Sequence, residues 1–187
     1  ETVLNGGDLA DVPGLAVLRD GKVHYTEHRP VVGFDKFHPV PWHLLEYEKY
    51  AELQVKPTHL KVRHRFPLPG DWTVDNPPRG FSHFSSFGCP EPCTFCCSPA
   101  LTGRRWKAIP GDQLAEEIAE LQQRFKFDVL RFQDANFGVA EKRTKAFCEK
   151  LVELDVPIHW NGTIEIETIM RYKEETLDLL QDSKCHL

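Results

Sequence analysis

No apolar run in the sequence approaches the roughly 18 residues that a membrane-spanning helix requires, so no span is expected. A basic excess is also missing, since 23 Lys and Arg stand against 28 Asp and Glu, a net charge of −5. That balance argues against a general nucleic-acid binder, which presents basic residues to phosphate. No charged-then-apolar leader opens the chain, and Glu1 stands where an initiator methionine would. The expectation is therefore a piece cut from something longer. What the chain does have is 41% hydrophobic and 11% aromatic residues, enough to build a core and too much for a wholly disordered chain.

Cysteine is scarce over most of the length, with four of the six packed between Cys89 and Cys97. A secreted scaffold spreads its cysteines so that disulfides can staple distant loops. Thiols clustered in an otherwise ordinary chain read as a metal site in a reducing compartment, which points to the cytoplasm.

Texture changes near residue 80. Residues 1–80 hold most of the proline and histidine and read as a linker segment with short strands. Leu15–Arg19 and Lys22–Tyr25 flank Asp20-Gly21, a strong hairpin signal. Phe34 to Trp42 reads as extended linker, Trp42–Leu53 as one short helix, and Lys56–Arg65 as a half-exposed strand with a solvated basic face. Residues 81–187 alternate strand and helix. Phe81–Phe87 is a strand leading into the cysteines. Asp112–Phe127 is an amphipathic helix with Leu114, Ile118, Leu121 and Phe125 on one side. Val129–Phe132 is a second strand. Glu141–Leu154 is a helix burying Phe147, Cys148, Leu151 and Leu154. Pro157–Gly162 is a third strand, and Thr168–Leu180 a helix burying Ile169, Leu177 and Leu180. This order predicts an α/β fold: parallel strands, right-handed crossovers and about three βα units of a partial barrel. A fourth strand should begin at His186-Leu187.

Residues 88–97 read Gly-Cys-Pro-Glu-Pro-Cys-Thr-Phe-Cys-Cys. Cys89, Cys93 and Cys96 are spaced by three and then two residues. Four thiolates close every iron of a cubane cluster, so three from one loop leave one iron open to a ligand. Pro90 and Pro92 stiffen the loop, and Gly88 lets it leave the strand sharply. The rival is structural zinc, which requires a fourth ligand such as Cys97, His83 or Cys185.

The loop resembles the CxxxCxΦC motif of the radical S-adenosylmethionine (radical SAM) superfamily, with Phe95 as the aromatic residue. Phe132-Gln133-Asp134-Ala135-Asn136-Phe137 and Trp160-Asn161-Gly162 look like the cobalamin-dependent branch, in which a cobalamin-binding domain precedes the barrel. Val12-Pro13-Gly14-Leu15, Asp20-Gly21-Lys22 and Pro39–Tyr50 resemble the linker between those domains. The resemblance implies that Cys89, Cys93 and Cys96 ligate three irons of a 4Fe–4S cluster. It implies that S-adenosylmethionine chelates the fourth iron and is cleaved reductively to methionine and a 5′-deoxyadenosyl radical. Phe95 would lie by the adenine. Gln133, Asp134 and Asn136 stand where the superfamily carries a Gly-Gly-Glu segment holding the methionine amino group. Cobalamin would be bound mainly by an absent upstream domain. An electron donor such as flavodoxin or ferredoxin and a small-molecule substrate would be the partners. Methyl transfer is the commonest outcome in that branch.

Several neighbouring residues have plainer readings. Asp134 and Asn136 also suit a polar turn, and Asn161, Glu165 and Glu167 follow the third strand, where barrels place their chemistry. Arg104, Arg105 and Trp106 either touch the cofactor or pack the flank of the loop. Cys148 reads as a small core residue. From a different class comes the alternative of a non-catalytic module that holds zinc or a closed iron–sulfur cluster.

Overall fold

Asp20 and Gly21 both adopt positive φ, 50° and 74°. Consecutive left-handed residues match the right-handed twist of a two-residue hairpin, and Asp-Gly tolerates them at little cost. The pair joins β1 (Ala16–Arg19) to β2 (Lys22–Tyr25), antiparallel with Ala16 opposite Tyr25 and Arg19 opposite Lys22. The expected hairpin is present. The computed structural model describes residues 2, 4–29, 33, 40–55 and 78–186. It divides the chain into two units, Glu1–Phe37 and His38–Leu187. In the first, the hairpin is closed by Thr26, whose Oγ1 accepts from the Leu15 amide at 2.8 Å.

The second unit begins with a 3₁₀ turn, Trp42–Leu44, followed by α1 (Tyr47–Val55). The single helix expected over Trp42–Leu53 is therefore broken at Leu45-Glu46. Tertiary packing overrides local propensity here: the Trp42 ring lies 5.4 Å from Phe81 and stacks on His83 at 5.8 Å. Most of the expected Phe34–Trp42 linker and all of the Lys56–Arg65 strand lie outside the described residues.

The expected Phe81–Phe87 strand is two strands in different sheets, β3 (Gly80–His83) and β4 (Ser86–Gly88). After the short α2 (Ser98–Thr102), β5 (Trp106–Ala108) pairs antiparallel with β4, Gly88 opposite Trp106. Then come α3 (Gly111–Phe125), β6 (Val129–Phe132), α4 (Glu141–Glu153) and β7 (His159–Asn161). The helix expected over Thr168–Leu180 is α5 (Ile166–Ile169) and α6 (Glu174–Asp182). The break occurs because the Glu141 carboxylate accepts from the Lys173 amide and the Thr176 hydroxyl, both at 2.8 Å, which starts a new helix there.

β3, β6 and β7 form one parallel sheet in that order, with Phe81 opposite Leu130 and Leu130 opposite Trp160. The pleat sends alternate residues to opposite faces. Phe81, His83, Leu130, Phe132 and Trp160 are buried and form the helix side of the sheet. Phe147 of α4 meets Phe132 and Trp160 edge-on at 5.5 and 5.1 Å. Leu114, Ile118, Leu121 and Phe125 of α3 are buried as expected. On α4 Phe147, Cys148 and Leu151 are buried, but Leu154 lies past the helix end and is 39% exposed. On α6 Leu180 is buried together with Thr176, while Leu177, expected inward, is 41% exposed. α3 and α4 approach closely at Gly111, where a Cβ would lie 2.2 Å from the Arg143 carbonyl oxygen. Only glycine fits there. Beyond α6, Cys185 pairs in parallel with Trp160, so the sheet gains the beginning of a fourth strand beside β7.

Candidate functional site

All three strands of the parallel sheet run the same way, so their carboxyl ends share one edge, the place where α/β folds collect functional loops. At that edge Ser85-Ser86, after β3, meet the loop that leaves β6 at Phe132. The loop that carries the cysteines leaves β4, which pairs with β5 in a separate antiparallel sheet, at Gly88.

Gly88 has φ +83°, and a Cβ there would lie 2.0 Å from the Arg105 carbonyl oxygen. Glycine is thus required for the cysteine loop to leave its strand in this direction. Cys89 is half-buried, and Cys93, Cys96 and Cys97 are exposed, none in a disulfide. The Cys96 amide donates to the Cys93 carbonyl at 3.2 Å, forming a tight turn. The Ser98 amide donates to Cys96 Sγ at 3.4 Å. Cys97 occupies the position before α2, and Gly103 ends that helix at φ +60°. Arg104 Nε donates to the Pro90 carbonyl at 2.8 Å, tying the loop back on itself. Phe95 is 92% exposed. Among the described residues no three His, Cys, Asp or Glu side chains converge closely enough to hold a metal ion.

The three polar residues after β6 have different surroundings. Gln133 is exposed on the face away from the helices, its amide donating to the His83 carbonyl at 2.9 Å and Nε2 to Ser82 Oγ at 3.2 Å. Asp134 is 3% exposed. Its Oδ1 accepts from the Ser85 and Ser86 amides at 2.7 and 3.1 Å, and Oδ2 accepts from Ser85 Oγ at 2.5 Å. Asn136 is 1% exposed; its Oδ1 accepts from the Glu165 amide at 3.4 Å, and Nδ2 is buried with no partner among the described residues.

Arg143 escaped the sequence reading, although a charge in the apolar stripe of α4 was a visible signal. It is buried, and Nη2 donates to Ser85 Oγ at 2.7 Å while Nε donates to the Ile109 carbonyl at 2.7 Å. Nη1 donates to the Phe137 carbonyl at 3.1 Å. Burial pushes its pKa down to about 10, with the Asp134 charge opposing that fall. Arginine therefore stays charged at neutral pH, as a buried partner for Asp134 must.

Glu165 is the N-cap of α5, its carboxylate accepting from the Glu167 and Thr168 amides at 2.9 and 2.8 Å. Those amides, the Glu167 one foremost, hold its pKa below the usual carboxylate range. Glu167 is exposed. Asn161 lies in register with Arg131 and, through it, with Ser82, on the polar side of the sheet. Of the other thiols, Cys148 is buried and its pKa is pushed up to about 11 by desolvation.

No family model matches the chain. An uncharacterized methyltransferase of Pyrococcus horikoshii is 23% identical over 187 residues, 100% of this chain and 35% of the relative. The anaerobic magnesium-protoporphyrin IX monomethyl ester cyclase of Synechocystis is 24% identical over 167 residues, 89% of this chain and 29% of the relative. The chain thus spans about a third of the length of these curated relatives. Among solved structures, the radical S-adenosylmethionine methyltransferase TsrM from Kitasatospora setae, with cobalamin and a [4Fe–4S] cluster bound, superposes with a TM-score of 0.62. That match has 18% sequence identity and covers 99% of this chain and 34% of TsrM. The fold is accordingly α/β, a parallel sheet with helices that corresponds to part of a radical SAM-like structure.

Proposed function

We propose that this chain is the cluster-bearing part of a radical SAM enzyme, most simply a cobalamin-dependent methyltransferase. The observation that carries the reading is the three-cysteine loop. It opens at an obligatory glycine just after Ser85-Ser86, which are bonded to the loop after β6, in a fold that matches a radical SAM methyltransferase. Of the three similar proteins described above, two are methyltransferases and one is a cyclase.

The donor set fits an iron–sulfur cluster better than closed zinc. Of the rival fourth ligands, Cys97 is exposed but stands at the entry of α2, next in sequence to Cys96, and Cys97→Ala tests it. His83, by contrast, lies on the helix side of the sheet with Nε2 3.2 Å from Glu117. Cys185 is tied into the strand pairing beside Trp160. Cys89, Cys93 and Cys96 are accessible on one short loop, soft thiol ligands of the kind that iron–sulfur clusters take. Once bound, a four-iron cluster supplies one electron for reductive cleavage of S-adenosylmethionine, and cobalamin supplies the methyl-carrying cobalt. The chain's own residues would hold and orient these groups. Exposed Phe95 would cover the adenine, and Gln133, on the polar side of the sheet, would meet the methionine amino group. Cobalamin would be held mainly by another domain, and a flavodoxin or ferredoxin in the cytoplasm would deliver the electron.

Anaerobic reconstitution tests the reading directly. About four iron and four sulfide per chain are expected, with an electron paramagnetic resonance signal that S-adenosylmethionine perturbs on reduction. Retention of one zinc and no sulfide would replace the proposal with a structural metal module.

A further inference from the structure

Three residues after β6 carried one expectation in the sequence, a shared place beside the methionine end of S-adenosylmethionine. Their surroundings separate them. Gln133 is exposed on the polar face, whereas Asp134 has its lone pairs engaged by Ser85 and Ser86 and is closed off from solvent.

Those two serines have a special place. Ser85 sits between β3 and β4, and Ser86 begins β4, which is only three residues long and ends at Gly88. Cys89 follows at once. Asp134 therefore grips the backbone at the root of the cysteine loop, 49 residues away in sequence. The Ser85 carbonyl accepts from the Ile109 amide at 3.0 Å, and its hydroxyl accepts from Arg143. Arg143 also reaches the carbonyls of Ile109 and Phe137. The clamp thus joins β4, Ile109 ahead of α3, the β6 loop and α4 through Ser85, whose hydroxyl lies between the buried Asp134 carboxylate and the Arg143 guanidinium. A carboxylate accepting three hydrogen bonds in a buried site holds its donors far more tightly than a neutral group would.

We infer that Asp134 is a positioning residue for the cysteine loop, acting through Ser85 and backed by Arg143, and that it does not itself contact S-adenosylmethionine. The inference rests on the proposed iron–sulfur reading. Partners behind a metal's ligands typically change metal retention about ten- to hundred-fold when removed. Asp134→Asn keeps the size and one acceptor oxygen but loses the charge that Arg143 and the Ser85 hydroxyl face. Ser85→Ala removes only that hydroxyl.

The test compares the full chain with D134N, S85A, Q133A and E165A after anaerobic reconstitution. It follows iron loss to an external chelator and the electron paramagnetic resonance spectrum of the reduced cluster without S-adenosylmethionine. D134N and S85A should lose iron about ten-fold faster than the parent and show an altered spectrum. Q133A should keep both properties of the parent. E165A, destabilised at a helix cap outside the clamp, should also keep them, which separates positioning from general loss of stability. If D134N fails to fold by circular dichroism, S85A alone decides. Parent-like retention and spectrum in S85A would overturn the inference. So would a D134N variant with a parent-like spectrum and weakened S-adenosylmethionine binding, since that is the pattern of a direct contact. A parent chain that takes up no four-iron cluster would overturn the iron–sulfur reading itself, and the inference with it.

Discussion

The loop after β6 and the cysteine loop after β4 are built in opposite ways. The loop after β6 is anchored by buried side chains: Asp134, Asn136 and Phe137 are each at most 3% exposed, between the exposed Gln133 and Ala135, and Phe137 stacks on Phe132 at 4.6 Å. The loop after β4 is open, with Cys93, Cys96, Cys97 and Phe95 in solvent and few hydrogen bonds within it. One loop is packed into the frame and the other is left open. A binding loop drawn from the low-stability end of a structure can adapt to what it holds, provided that its root is fixed.

The largest effect should come from the ligands. Replacing Cys89, Cys93 or Cys96 by Ala should abolish the iron–sulfur absorbance of reconstituted protein, while Cys97→Ala and Cys148→Ala should keep it. Loss on Cys97→Ala would redraw the ligand set. Thiol chemistry on the metal-free chain sharpens the same contrast. At pH 8, iodoacetamide should label Cys148 on the order of a hundred-fold more slowly than an ordinary exposed thiol, since burial lifts its pKa to about 11 and thiolate is the reactive form. That gap should narrow as pH rises toward 11. Equal labelling of Cys93 and Cys148, read by peptide mass spectrometry, would mean that α4 does not shield its thiol.

Aromatic truncations divide the loops by stability. Phe137→Ala should cost about 3–5 kcal/mol in denaturant unfolding, the usual penalty for a fully buried ring. Phe95→Ala should change stability by less than about 0.5 kcal/mol, as for exposed sites. Gly88→Ala should cost about 1–3 kcal/mol for a strained backbone and also impair cluster uptake. The smallest effect is at Glu165. Its folded pKa is depressed, so the stability it contributes is present above the unfolded carboxyl value and is lost as pH falls through the folded one. Glu165→Ala should therefore lower the midpoint of thermal unfolding slightly at pH 7, by a margin that vanishes at strongly acid pH.

The sequence made the frame legible where burial is periodic. Leu114, Ile118, Leu121 and Phe125 announce α3 because one face of a helix must be apolar to pack on a sheet. β4 and β5 gave no such signal: each has three residues, Phe87 is 63% exposed, and their partners are set by tertiary contacts. The helix expected at Thr168–Leu180 broke because Glu141, from a different helix, supplies the acceptor that starts α6. The candidate site follows the same rule. The cysteines are legible because three candidate ligands lie within eight residues of sequence. The clamp behind them is not, because Ser85 meets Asp134 across 49 residues and Arg143 across 58. Contiguous chemistry is visible in a sequence; converging chemistry is visible only in the fold.

The order of the parallel sheet has a consequence for how the protein is made. β3, β6, β7 and the residue pair at Cys185 lie side by side in the same order in which the ribosome releases them. Each new strand finds its partner already synthesised, with its helix between them to cover the join. No strand must wait for a later segment to be inserted between two earlier ones. Vectorial growth of this kind leaves only the newest strand changing at the growing edge, since β3 is the other edge throughout.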